Sequence, residues 1–285
     1  MRVTVIGAAN IDIIVQSKTS IVQGESNPAD VSLKAGGVAR NIAAMLALRG
    51  VEVDLIAAVG KDPFGKMLME SCKDIGINTD AWIVKSNIST GVYLATRNND
   101  GELHTGFTAI TAPESIKTAE LAKHKKLIFE SDLLLLDLNL SEKIINVALD
   151  LRDQRPVMVD AVSVDRISRI ENFLDRIDIL KLNRLEAEKL TGIMLDTKER
   201  VKQACNNIVS RGVTRVFITM GMAGVCAADY KNAIFVPAVP VAVKEMSGAG
   251  DAFTTGIILE FEKDLRTQAE SGIKLATDHL NRKVK

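Results

Sequence analysis

Short apolar runs alternate with amphipathic stretches along most of this chain. Val3, Val5 and Ile6 form a first run, ended by Gly7-Ala8-Ala9-Asn10, as expected of a buried strand opening into a polar turn. Residues 11–15 and 31–33 are extended but carry too few apolar positions for a core, so they are expected to form part of a small sheet projecting from one. Val38, Ile42, Met45, Leu46 and Leu48 recur at helical spacing, and Gly50 stops them. The pattern then predicts a buried strand over 53–59 and a helix over 63–74 with Pro63 in its first turn. Extended segments over 81–84 and 90–96 follow. Asn98-Asn99-Asp100-Gly101 is a hairpin signal, with the return strand at 103–107.

Beyond Pro113 the alternation becomes regular. It predicts a helix over 114–122, a strand over 133–137, a helix over 141–153 and a strand over 157–160. A helix or turn over 166–174, a strand over 179–181 and helices over 184–190 and 197–211 come next. A strand over 215–219 is followed by an antiparallel edge pair, 225–228 and 233–236. Phe253, Ile257, Leu259 and Phe261 mark another helix, and a last one is expected near 268–280. Repeated strand–helix units imply an α/β fold, a doubly wound and mostly parallel sheet with helices on both faces. With no internal repeat or linker, residues 1–285 are expected to form one domain, with accessory lid strands from about 12–34 and 90–108.

Composition narrows the function. The formal net charge is +0 and aromatics are 4% of the chain. Neither a cationic footprint nor stacking platforms for nucleic acid are present, so no nucleic-acid partner is expected. No apolar run is long enough to span a bilayer. Cys72, Cys205 and Cys226 are widely spaced and odd in number, as for reduced core thiols of a cytoplasmic protein. The first residues lead straight into a strand, without the pattern of a signal peptide. His104, His124 and His279 show no ligand spacing and are expected at the surface or in loops. Gly-x-Ser-x-Gly, Gly-x-Gly-x-x-Gly and Gly-x-x-x-x-Gly-Lys-Ser/Thr are all absent, which disfavours a hydrolase, a dinucleotide enzyme and a P-loop kinase.

In doubly wound sheets, ligands sit beyond the carboxyl ends of the strands. Asn10, Asp12, Asn139, Asp160, Asn183 and Thr219 all fall at or just after predicted strand ends. Ser247-Gly248-Ala249-Gly250-Asp251 is a glycine turn entering a helix, where backbone N–H groups and the helix dipole together make an anion cradle. Asp251 there reads equally as a helix cap or as a base that accepts a hydroxyl proton. Gly36-Gly37 also precedes a helix, with Arg40 and Asn41 in its first turn. Asn183 and Glu186 are three residues apart; alone, they read better as a capping box than as a hold on hydrated Mg²⁺. Thr219, Gly221 and Gly224 form a turn suited to bringing backbone against phosphate or to a simple hairpin.

In combination these pieces resemble the PfkB/ribokinase family of sugar and nucleoside kinases, in order along almost the whole chain. Gly7 to Asp12 resembles the family's sugar-contacting strand end, and Gly36 to Asn41 its di-glycine substrate motif. Asn183-Arg184-Leu185-Glu186 is similar to its Asn-x-x-Glu motif, and Ser247 to Asp251 to its anion hole and catalytic base. The resemblance implies a ribokinase-like fold with a β-sheet lid, and ATP-dependent phosphorylation of a nucleoside or sugar hydroxyl. It implies catalytic roles for Asp251, Gly248, Ala249 and Gly250. Asn10, Asp12, Gly37, Arg40, Asn41 and Asn139 would contact the acceptor. Lys181, Asn183, Thr219, Gly221 and Gly224 would bind the nucleotide, with Mg²⁺ near Asn183 and Glu186. Ser26-Asn27-Pro28, Gly36 to Ala43 and Leu182 to Glu188 are most similar to members acting on the C-nucleoside pseudouridine; another acceptor, or nucleoside binding without turnover, is the alternative. The usual Asp-Thr-Thr of the family's monovalent-cation site is Glu245-Met246-Ser247 here, which leaves a K⁺ requirement open. Little chain follows the last predicted helix to wall an adenine pocket. A homodimer through the lid is implied as possible.

Overall fold

Leu133 and Leu135 pack toward one face of a central sheet and Leu134 and Leu136 toward the other, as the two-residue period of a strand buried on both sides requires. The computed structural model describes residues 1–241 and 247–282; Glu245 and Met246 lie outside them. The chain opens with β1 (Arg2–Ile6), β2 (Asn10–Ser17), β3 (Ala29–Gly36), α1 (Val38–Ala47), β4 (Glu52–Ile56) and β5 (Ala58–Gly60). It continues with α2 (Pro63–Lys73), β6 (Ile83–Lys85), β7 (Gly91–Arg97), β8 (Leu103–Ala109), α3 (Thr118–Ala122) and α4 (Lys125–Glu130). Then come β9 (Leu133–Asp137), α5 (Glu142–Leu151), β10 (Val157–Asp160), β11 (Ile179–Asn183), α6 (Arg184–Thr191) and α7 (Lys198–Ser210). The last elements are β12 (Arg215–Thr219), β13 (Val225–Asp229), β14 (Ala233–Val236), α8 (Ala249–Leu259) and α9 (Leu265–Arg282).

The main sheet runs β14-β13-β12-β11-β10-β9-β1-β4. It is parallel from β12 to β4, with β13 and β14 added antiparallel at one edge. Helices α1, α2, α8 and α9 cover one face, and α3 to α7 the other. A separate four-stranded sheet, β3-β2-β7-β8, forms the lid. Its Asn98-to-Gly101 turn closes where the Asp-Gly signal placed it, with Gly101 at φ 88°. Among the described residues, no helix is long and apolar enough to cross a membrane.

The sequence pattern misplaces two elements. The strand expected over 53–59 breaks at Ala57, because β5 turns away to pair with β6 in a two-stranded sheet and Ala57 O accepts from Ile83 N. The helix expected over 114–122 is a 3₁₀ turn, Ala112–Ser115, and then α3, because Lys117 is extended and its N–H bonds the Glu120 carboxylate instead of continuing a helix. The helix or turn expected over 166–174 is two 3₁₀ pieces, Val164–Ile170 and Leu174–Arg176. The short helix α4 was not anticipated.

Helices α8 and α9 touch through glycines. A Cβ on Gly256 would lie 2.6 Å from the Gly272 backbone, and one on Gly272 would lie 2.6 Å from the Phe253 ring. Gly256→Val is therefore expected to lower stability by roughly 1–3 kcal/mol through overpacking, read as a drop in the denaturant midpoint at unchanged slope.

Candidate active site

The sheet reverses its winding at β1, which has β4 on one side and β9 on the other. A crevice beyond the strand ends forms at such a point. There the fully buried Asp137, last residue of β9, holds three segments together. Its Oδ2 accepts from Ala8 N at 2.9 Å and Ala39 N at 3.0 Å, and its Oδ1 from Asn139 N at 2.9 Å. It thus caps α1 from a different strand. Burial pushes its carboxyl pKa up despite these bonds. Gly37 caps the same helix at φ 97°, where a Cβ would meet the Ala8 carbonyl oxygen at 2.4 Å; only glycine fits. This close docking sets Arg40 and Asn41 at the crevice.

Helix α8 starts on the opposite side. Gly248 is its N-cap, at φ 76°, so Asp251 is not the cap. Asp251 sits in the first turn, and its Oδ2 accepts from Asn41 Nδ2 at 2.9 Å. The first N–H groups of the helix have no partner within it, the arrangement that suits a helix start to anions. Burial and the nearby Asp160 push the Asp251 carboxyl up to about 7; Asn41 and Lys181 pull the other way. A group titrating there is poised to take a proton near neutrality. If Asp251 is the base, kcat/KM is expected to fall as pH drops through about 7, because protonation removes the accepting lone pair; a pH–rate profile checks this.

Two cavities meet at the start of α8. One, of about 420 Å³, is lined by Lys181, Asn183, Thr219, Gly221 and Gly224 together with Ala249 and Gly250. All five residues expected to bind nucleotide are thus brought to one cavity. Ile273, Ala276, Thr277 and Leu280 of α9 wall its far side. The other cavity, of about 720 Å³, lies under the lid and is lined by Asp12, Arg40, Asn41 and Gly248 among others. Asn10 sits behind it and donates to Asp12 Oδ1 at 2.7 Å. Burial raises the Asp12 pKa, with Asn10 and Arg40 opposing. Gly36 packs on the Asp12 carboxylate. Asn139 lines neither cavity and is buried beside Asp137.

Asn183 and Glu186 form the capping box. Glu186 N donates to Asn183 Oδ1, while Asn183 N and Nδ2 donate to the Glu186 oxygens, both at 2.7 Å. Each Glu186 oxygen keeps a further lone pair, a hard donor of the kind Mg²⁺ accepts. Among the described residues, no group of three or more His, Cys, Asp or Glu could hold a metal ion. Of the pair, Asn183 lines the smaller cavity and would meet the water shell of a bound Mg²⁺, while the buried Glu186 holds Asn183 in place from behind.

Asp137 and His279 escaped the sequence pattern as site residues, whereas Asp160 is one of the expected strand-end residues. Asp137 ends an all-leucine run, and a carboxylate on a doubly buried strand was itself a signal, since it costs heavily unless bonded. The buried Asp160 accepts from Thr254 Oγ1 at 2.7 Å and faces Lys181 Nζ at 3.3 Å. Burial opposes the Lys181 charge, but Asp160, Glu186 and Asp251 outweigh it and hold its pKa above the usual lysine value. His279, expected in a loop or at the surface, belongs to α9. It lines the larger cavity, and its Nε2 lies 3.2 Å from the Ser247 carbonyl oxygen.

Comparison with known proteins places this architecture. The chain is 32% identical to pseudouridine kinase of Escherichia coli (strain K12) over 98% of its own length and 92% of that protein. A carbohydrate kinase structure from Agrobacterium tumefaciens superposes with a TM-score of 0.85 at 27% identity, covering 96% of this chain and 89% of that one. An Arabidopsis thaliana ribokinase complexed with ribose and ATP shares the fold, with a TM-score of 0.85 at 24% identity over 98% and 92% of the two chains. The family model described as pfkB family carbohydrate kinase matches residues 1–277, a span that includes Asp251, the lid strands and most of the lining of both cavities, and so the chain belongs to the PfkB family of carbohydrate kinases.

Proposed function

We propose that the chain transfers the γ-phosphoryl group of ATP to the 5′-hydroxyl of a nucleoside, with pseudouridine as the acceptor. The observation that carries this reading is the Asn41–Asp251 pair, set between two cavities that share the start of α8 as a wall. The near full-length similarity to a pseudouridine kinase supports the choice of acceptor.

In this reading Asp12 and Asn41 hold the ribose hydroxyls, with Asn10 orienting Asp12 and Arg40 lying beneath the acceptor. Gly37 and Asn139 shape the floor through the Ala8 turn and Asp137. Asp251 Oδ2 takes the hydroxyl proton as that oxygen attacks the γ-phosphorus. The bond from phosphorus to the bridging ADP oxygen breaks, and ADP leaves. The Gly248, Ala249 and Gly250 backbone stabilises charge on the transferring group, and positioning with electrostatics supplies most of the rate. Lys181, Asn183, Thr219, Gly221 and Gly224 hold the nucleotide. Bound Mg²⁺ would neutralise phosphate charge, held through water by Asn183, which Glu186 keeps in place. The lid sheet excludes water from the transfer, within one functional unit spanning residues 1–285. A kinase of this kind works where ATP is kept, in the cytoplasm. Coupled ADP release with pseudouridine, uridine, adenosine and ribose side by side tests the reading. Preference for free ribose or adenosine, or nucleoside binding without ADP production, would overturn it.

We further infer that two copies pair through their lids. Leu33, Ile13, Leu94 and Phe107 are cross-strand partners in one row over all four lid strands. Leu33 is 47% and Phe107 61% exposed, an apolar patch of the kind that marks an interface. Phe107→Asp is expected to convert a dimer to a monomer in sedimentation velocity.

A further inference from the structure

Carboxylates of the main body hold the base of the lid from both sides. Asp137 fastens the β2 and β3 side through Ala8 N and Ala39 N. Asp62 fastens the β7 side. Its Oδ2 accepts from Thr90 N at 2.8 Å, and its Oδ1 accepts from Thr90 Oγ1 at 2.7 Å and from Gly65 N at 2.8 Å. Thr90 Oγ1 in turn accepts from Gly60 N at 3.0 Å. Thr90 is 3% exposed and immediately precedes β7. The corner leaves no room for side chains on its glycines: a Cβ on Gly60 would lie 2.7 Å from Thr90 N, and one on Gly65 would lie 3.0 Å from Thr90 Oγ1. Burial raises the Asp62 pKa, but the Thr90 and Gly65 donors outweigh it and hold the carboxyl below its usual value.

A helix N-cap needs one acceptor oxygen. The Oδ1 that accepts from Gly65 N fills that role at the start of α2. Oδ2 goes to Thr90 N instead, so Asp62 does more than cap a helix. What it ties down is the footing of the larger cavity. Gly91, next to Thr90, is in register with Asn10 of β2, and a Cβ on Gly91 would lie 3.2 Å from the Asn10 Cβ. Asn10 is buried, and its Nδ2 donates to Asp12 Oδ1 at 2.7 Å. On its other side Asn10 is in register with Gly36, on which the Asp12 carboxylate packs. The carboxylate thus rests on one row across three lid strands, Gly36, Asn10 and Gly91, and Asp62 secures the Gly91 end of that row through Thr90.

On the reading that Asp12 holds the acceptor's ribose, we propose that Asp62 is a positioning residue of the acceptor site, setting the Asp12 carboxylate through Thr90, Gly91 and Asn10. Asp62 itself lines neither cavity. Slack at this corner is felt by the acceptor and not by ATP, because the smaller cavity is lined from β11, β12, β13, α8 and α9, away from the lid root.

Wild type, Asp62→Ser, Thr90→Val and Thr90→Ser test the assignment. Serine at 62 still caps α2 but has no second oxygen for Thr90. Valine at 90 keeps the shape and loses the hydroxyl, whereas serine keeps the hydroxyl. With the preferred acceptor among pseudouridine, uridine, adenosine and ribose, Asp62→Ser and Thr90→Val are each expected to raise the acceptor KM roughly tenfold, the size of one charge-assisted hydrogen bond. The KM for ATP should stay at its wild-type value, and Thr90→Ser should stay close to wild type in both. Hydrogen exchange read by mass spectrometry should quicken in Asp62→Ser over residues 10–12 and 91–94 but not over α2. Equal rises in both KM values, or faster exchange over α2 with the lid unchanged, would overturn the proposal. If the wild type transfers phosphate and neither Asp62→Ser nor Thr90→Val changes the acceptor KM, the proposal falls and the kinase reading stands. If the wild type binds a nucleoside without ADP production, the kinase reading falls. A roughly tenfold weaker Kd for that nucleoside in the two variants, measured by calorimetry, then keeps Asp62 as a positioning residue, and an unchanged Kd removes it.

Discussion

Replacing Asp251 by Asn is expected to reduce turnover by roughly 10²–10⁴-fold, the usual contribution of a positioned general base. Nucleoside affinity measured by calorimetry should change little, because Asn keeps an oxygen to accept from Asn41 Nδ2. The same variant should be more stable than the wild type above neutral pH. The folded protein holds the Asp251 carboxyl at about 7, above the ordinary value of about 4. As pH rises between these values the unfolded chain loses its proton first, so charging Asp251 weakens the fold progressively up to about pH 7. Asn carries no charge to bury. Melting temperatures of the two proteins at pH 5 and pH 8 should therefore diverge with increasing pH, the variant lying higher. Near-full activity in Asp251→Asn would remove Asp251 as the base, and coincident melting curves would show that its burial carries no such cost.

Lys181→Met is expected to be the most damaging single change to stability. Lys181 and Asp160 are 7% and 1% exposed, and the ammonium lies 3.3 Å from the carboxylate. Methionine fills similar space but leaves Asp160, among the described residues, with Thr254 Oγ1 and Val162 N as donors. Breaking a buried pair from one side costs about 3–5 kcal/mol, measurable by chemical denaturation. Adding Asp160→Asn should recover part of the loss, because it removes the stranded charge. There is also a kinetic signature. Lys181 pulls the Asp251 pKa down, so its removal should move the acid limb of the pH–rate profile to higher pH. A loss below about 1 kcal/mol, the range of exposed pairs, would show that Asp160 is solvated after all.

The strands and most helices were legible because burial on both faces leaves unbroken apolar runs, and the strands at 133–137 and 157–160 fall where those runs predict. The breaks were not legible. Ala57 is as apolar as its neighbours, and only β6, supplied by a distant stretch, draws the chain out of the main sheet there. The glycine turns were visible because they need glycine, as Gly37 and Gly248 show with their positive φ. What spacing could not give was partnership. Asp251 alone read as cap or base, and the capping reading yields only because Gly248 takes that position and Asn41 arrives from another helix. His279 and Arg282 share a face of α9 that periodicity alone cannot aim, so their presence at the larger cavity depends on how α9 docks.

The Asp137 clasp has a consequence for how the molecule assembles. It joins Ala8 and Ala39 to a carboxylate 129 and 98 residues away, and the Asn41–Asp251 bond spans 210 residues. Contacts between such distant segments form late, since each requires the intervening chain to be ordered first. During synthesis the floor of the larger cavity can be clasped once β9 has emerged, well before Asp251 leaves the ribosome. The group read here as the base is therefore added to a floor already built.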